Sequence, residues 1–142
     1  MPMGQMFFSD DNLSPPTVKI EKIWLTHHTS TFGRKELHVH AKFQINFALG
    51  RGCRVIAYFY NSDGYPIWDR NKEYYAENGQ VSSGEDFTPP YEYCRYDDFV
   101  ITIPYKELHT TGCFLKVCVS VITKSDCEFL ATSEYAHFYI PY

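Results

Sequence analysis

The chain has 142 residues, a formal net charge of −4 and an aromatic content of 18%, made up of 12 Tyr, 11 Phe and 2 Trp. This length suits one domain with a self-sufficient core, and 44% hydrophobic with 21% charged residues excludes a disordered or fibrous chain. The 13 Lys and Arg residues form no basic cluster, which disfavours a nucleic-acid partner, and no apolar run approaches the ~20 residues of a membrane span.

Residues 1–16, closing on Ser14-Pro15-Pro16, read as a flexible N-terminal arm, and residues 17–142 as a single β-sandwich domain. Met1 to Leu13 has only Met6-Phe7-Phe8 as an apolar patch and lacks a basic n-region, so no secretory signal is visible and a cytoplasmic location is expected. Val18 to Leu25 reads as a strand whose parity breaks at Trp24-Leu25, which places a bulge near Ile23.

The strongest periodicity runs from Leu37 to Leu49. Leu37, Val39, Ala41, Phe43, Ile45 and Phe47 alternate with His38, His40, Lys42, Gln44, Asn46 and Ala48, so one face meets a core. Phe43, Phe47 and, further along, Phe99 are assigned to that core. Cys53 to Tyr60 is apolar on both faces, as a central strand would be. Asp63-Gly64 suggests a two-residue type I′ hairpin leading to a short partner strand at Tyr65 to Trp68. Ala76 to Tyr96 shows no clean alternation, and a connection this long is either functional or hides a short edge strand. Alternation returns at Phe99, Ile101 and Ile103. Pro104 ends that strand, and Tyr105 to Leu108 makes at most one helical turn. Leu115 to Val121 and the region from Phe129 to Ile140, interrupted near Ser133-Glu134, supply the last strands.

Seven or eight strands without a long helix specify an all-β domain, and the strand–turn–strand passage from Phe99 to Val121 favours an immunoglobulin-like antiparallel β-sandwich. Five cysteines (Cys53, Cys94, Cys113, Cys118 and Cys127) with no Cys-x-x-Cys pair read as free thiols in a reducing compartment. One or two disulfides in a secreted form is the alternative.

Three stretches carry a family resemblance: Gly52 to Tyr60, Gly79 to Tyr91, and Tyr96 to Phe99 continuing through Ile103 to His109. Together they resemble an uncharacterised β-sandwich domain that accompanies other modules in multidomain bacterial proteins. The resemblance implies an accessory or interaction domain without established chemistry, and it carries over no site residues.

Nine of the twelve tyrosines lie between Tyr58 and Tyr105. Tyr65, Trp68, Tyr74, Tyr75, Tyr91, Tyr93 and Tyr96 fall in segments that read as loops or a short hairpin. Rigid aromatic groups with a polar tip concentrate at binding surfaces. The leading expectation is therefore a non-enzymatic protein-interaction module, binding a protein partner or a second copy of itself, with no cofactor. A carbohydrate-binding module is one alternative, with Trp68, Asp69, Asn71 and Tyr74 as the stacking and polar groups. The second is a metal-dependent enzyme using His38 and His40. Residues i and i+2 of a strand share a face about 6–7 Å apart, so these two imidazoles could meet one metal if His27, His28, His137 or Glu36 completed the set.

Overall fold

The computed structural model describes residues 14–29, 32–76 and 78–140, so the expected N-terminal arm lies almost wholly outside the described residues. Among the described residues the strands are β1 (Thr17–Thr29), β2 (Lys35–Asn46), β3 (Cys53–Asn61), β4 (Ser82–Phe87), β5 (Tyr93–Pro104), β6 (Cys113–Thr123), β7 (Phe129–Thr132) and β8 (Ala136–Ile140). A 3-10 turn at Tyr105–Leu108 joins β5 to β6. One sheet has the order β1-β2-β5. The other runs β4-β3-β6, with β7 and β8 both pairing on the far edge of β6. Every pairing is antiparallel.

The alternation of β2 puts Leu37, Val39, Ala41, Phe43 and Ile45 into the interior. Val55, Ala57 and Phe59 of β3, Ile101 and Ile103 of β5, and Leu115, Val117, Val119 and Val121 of β6 join them in one core. The two packed sheets make a β-sandwich-like fold. Ser83 Oγ donates to the Thr102 carbonyl at 2.8 Å and so ties edge strand β4 to β5 of the opposite sheet. As a central strand should, β3 lies between β4 and β6. Its outward residues Ile56, Tyr58 and Tyr60 floor a broad open groove of about 930 Å³. No helix among the described residues is long and apolar enough to cross a membrane.

Several local expectations change in the structure. The irregularity in β1 falls between Ile20 and Lys22, not at Ile23. The extra residue, Glu21, reverses the parity: Val18 and Ile20 pack on the core before it, Ile23 and Leu25 after it. Trp24 is thereby turned to the outer face. Phe47 lies beyond β2 with φ of 63°, half-buried at the chain reversal, where its N–H donates to the Glu92 carbonyl at 2.7 Å. It therefore does not continue the Phe43 row.

The turn after β3 is wider than a two-residue hairpin. Asn61 Oδ1 accepts from the N–H groups of both Asp63 and Tyr65, at 3.0 Å each. Gly64 alone takes a positive φ there, 95°, a region open to glycine without steric cost. The following segment makes isolated bridges at Tyr60–Pro66, Trp68–Gln80 and Tyr75–Val81, and packs Ile67 and Tyr74 against the core. The hidden edge strand of the long connection is β4.

At that edge the Asp86 carboxylate accepts from Lys124 Nζ at 2.6 Å and from Arg54 Nη1 at 2.5 Å. The Lys124 hydrogen bond, reinforced by Arg54, holds Asp86 below the ordinary aspartate value of 3.8. Its stabilising contribution is thus present above that value and lost as pH falls through the lower folded-state value. The group is half exposed, so Asp86→Asn is expected to cost less than about 1 kcal/mol and to weaken the acid limb of a stability–pH curve. An unchanged acid limb in urea titrations would contradict this assignment.

Candidate functional site

The outer face of the three-stranded sheet carries a histidine cluster built by register. His38 and His40 point outward because their odd-numbered neighbours point inward. Antiparallel pairing places Trp24 opposite His40, Thr26 opposite His38 and His28 opposite Glu36. One nitrogen from each of His28, His38 and His40 lies within 4.8 Å of the others. The His28 and His38 rings stack at 3.8 Å between centroids, and His38 and His40 are tilted at 6.3 Å.

Two of the three imidazoles are oriented by carboxylates. His40 Nδ1 donates to Asp98 Oδ1 at 2.7 Å, and His38 Nε2 donates to Glu36 Oε1 at 3.0 Å. The hydrogen bond from His38, assisted by Arg34, holds Glu36 below its ordinary value against the opposing effect of burial. These bonds leave Nε2 of His40 and Nδ1 of His38 as the lone-pair nitrogens, with roles assigned from the network. Thr26 Oγ1 lies 2.7 Å from both His28 Nε2 and His40 Nε2. Trp24 stacks on His40 at 5.0 Å, with Lys22 over the indole at 5.0 Å.

Asp98 reaches His40 because the β2–β5 register shifts between Ala41 and Phe43, leaving one extra residue on β5. Of the other donors considered from sequence, Glu36 orients His38. His27 sits against Tyr105 at 5.7 Å, and His137 lies on the other sheet opposite Lys116.

A second cluster escaped the sequence reading. Asp69, Glu107 and His109 bring one donor atom each within 4.8 Å of one another. Asp69 lies in the connection between β3 and β4, whereas Glu107 and His109 lie at the 3-10 turn. The only signal in sequence was the carboxylate and histidine content of two segments about forty residues apart, which says nothing of their meeting.

The aromatic residues singled out from sequence do not share one face. Tyr65, Trp68, Tyr74 and Tyr75 lie by the end of β3 that carries Asn61, as the bridges at Tyr60–Pro66 and Tyr75–Val81 show. Tyr93 opposes Asn46 at the other end of the strands, where Tyr91 also lies. Tyr96 packs inward, its ring 5.1 Å from Phe43. Tyr65, Trp68, Tyr75, Tyr91 and Tyr93 are exposed. Burial pushes the Cys53 and Cys118 thiols above their ordinary range, the reverse of what a nucleophilic cysteine needs.

Fold and clusters together define an all-β, two-sheet protein with two groups of side chains placed to ligate a cation. The expectation of a purely non-enzymatic interaction module is thereby corrected, because both groups are placed to coordinate a metal ion. The physical reason is register: the spacing of His38 and His40 was visible, and Glu36 shares their strand, but the third imidazole and the Asp98 carboxylate arrive from the two neighbouring strands. No protein-family model matches the chain, and no curated protein matches it. What holds of the resemblance to an accessory domain is the two-sheet all-β fold.

Proposed function

We infer that this protein is a metal-dependent enzyme whose cation is held by His28, His38 and His40. The observation that carries the reading is the orientation of His38 and His40 by Glu36 and Asp98. A ligating imidazole characteristically donates its other N–H to a carboxylate, which fixes the tautomer and raises the basicity of the ligating nitrogen. Three neutral imidazoles suit Zn²⁺ or another late first-row ion and leave a fourth position for water. A bound ion there would supply a hydroxide near neutral pH and polarise an oxygen of the substrate, which makes hydrolysis the favoured reaction class.

His28 also borders a groove of about 370 Å³ formed with His27, Thr29, Lys35, Tyr105 and Tyr139. In this reading the groove receives the substrate beside the metal. The immunoglobulin-like classification and the setting beside other modules belong to the same proposal, supported by the β5–turn–β6 passage and by the sequence resemblance.

The test is metal analysis after loading with Zn²⁺ and dialysis. His40→Ala is expected to retain one equivalent less than the wild-type chain, and to hydrolyse an activated ester at least about 100-fold more slowly than Zn²⁺-loaded wild type. Equal metal content in the two proteins would remove the reading.

A further inference from the structure

We propose that Asp69, Glu107 and His109 form a second cation site, independent of the three histidines, that clips the β3–β4 connection to the 3-10 turn. Donors and acceptors are out of balance in this buried place. Glu107 is only 1% exposed and the Asp69 side chain 1%. Buried carboxylates require counter-charges or hydrogen bonds, yet Asp69 Oδ2 and Glu107 Oε1 have no hydrogen-bond partner among the described residues. Asn71 Nδ2 donates to the other Glu107 oxygen at 3.2 Å, and the Arg70 N–H donates to His109 Nε2 at 3.4 Å.

That same Nε2 lies 3.1 Å from Asp69 Oδ1. One ring nitrogen cannot both accept from Arg70 and donate to Asp69. With the proton on Nε2, the Arg70 N–H loses its acceptor. Without it, two lone pairs oppose each other at hydrogen-bond distance, beside two further unpartnered carboxylate oxygens. A cation among the three side chains takes the Nε2 lone pair and the free oxygens together, at the expense only of the long contact from the Arg70 N–H, which is exposed and can turn to water.

The backbone holds the donors in place. The Asp69 N–H donates to the Gly79 carbonyl at 2.8 Å. His109 caps the 3-10 turn with φ of 57°, its N–H donating to the Lys106 carbonyl at 3.2 Å. Two carboxylates and one imidazole without a thiolate suit Mn²⁺, Fe²⁺ or Zn²⁺, because the imidazole disfavours the hard ions Ca²⁺ and Mg²⁺. The ligands are largely enclosed, as in sites where the metal stabilises structure.

The experiment uses the full chain carrying His40→Ala, which removes the histidine site from the reckoning. Titrated with Zn²⁺ and separately with Mn²⁺, it should bind one equivalent of at least one of them. At a concentration 100 times Kd its unfolding midpoint should rise by about 5–10 °C, with slower amide exchange at residues 69–75. Adding Glu107→Gln, or Asp69→Asn in a second protein, should abolish both the uptake and the rise. The proposal is overturned if His40→Ala binds neither ion, or if a folded Glu107→Gln or Asp69→Asn protein binds metal as before. Failure of the histidine reading is distinct: wild type and His40→Ala would then bind the same number of ions.

Discussion

Replacing Phe43 with Ala is expected to destabilise the fold by about 3–5 kcal/mol, the range for truncating a buried aromatic ring. Phe43 is fully buried and lies at the centre of a four-ring cluster. Its centroid is 5.6 Å from Phe87, 5.1 Å from Tyr96 and 5.8 Å from Phe99. Phe87 comes from edge strand β4, and Tyr96 and Phe99 from β5 on either side of the β2–β5 irregularity. The ring therefore joins both sheets beside an irregularity in the β2–β5 pairing, and neighbours drawn from different sheets cannot all collapse into the space it leaves. Set against a typical total of about 5–15 kcal/mol, such a loss would leave much of the protein unfolded at physiological temperature. Urea unfolding measures it directly. Phe43→Leu, which keeps most of the volume, should cost distinctly less, and equal costs would show that the cavity is not the cause.

Loss of metal binding is the second large effect. His40→Ala removes the imidazole that bridges the cluster to Asp98 and to Thr26. The affinity for Zn²⁺ at this site should fall at least about 100-fold, or about 2.7 kcal/mol. Asp98→Asn leaves every ligand in place but weakens the acceptor for the His40 Nδ1–H, and should cost about 10–100-fold, the usual range for an orienting carboxylate. Neither change touches the core: Asp98→Asn should leave stability without metal nearly unchanged, whereas His40→Ala, which loses the Trp24 stack and two hydrogen bonds, should cost about 1–3 kcal/mol. Calorimetric titration of the three proteins separates these outcomes. An Asp98→Asn protein that binds as tightly as wild type would mean that the carboxylate does not orient a ligand.

The inward face of β2 was legible because strict alternation leaves only one way to bury Leu37, Val39, Phe43 and Ile45. The 3-10 turn was legible for a similarly local reason: Pro104 ends a strand, and one turn's length separates it from the next alternating run. Trp24 also signalled a parity break. The side to which it would point depended on one inserted residue, Glu21, three positions earlier.

The candidate site was half visible. Glu36, His38 and His40 share a face by their spacing alone, whereas His28 and Asp98 reach them only through a particular pairing register with two irregularities. Register is a property of two strands at once, and a single chain read in order does not display it. The meeting of Asp69 with Glu107 and His109 is further removed, since it depends on how a long connection folds back over a turn. The orientation of Tyr96 was hidden for the same reason. Tyr96 looked like a loop residue because its strand had no clean alternation, and it is the irregularity beside Phe43 that turns it inward.

The central claim is that His28, His38 and His40 hold one cation together. Ring ¹⁵N resonances of the histidines, followed by NMR during Zn²⁺ titration, test this most directly. Signals of all three rings should move together and saturate at the same equivalence point, while His27 and His137 stay unchanged. Rings that respond at separate concentrations, or three rings that do not respond, would contradict it.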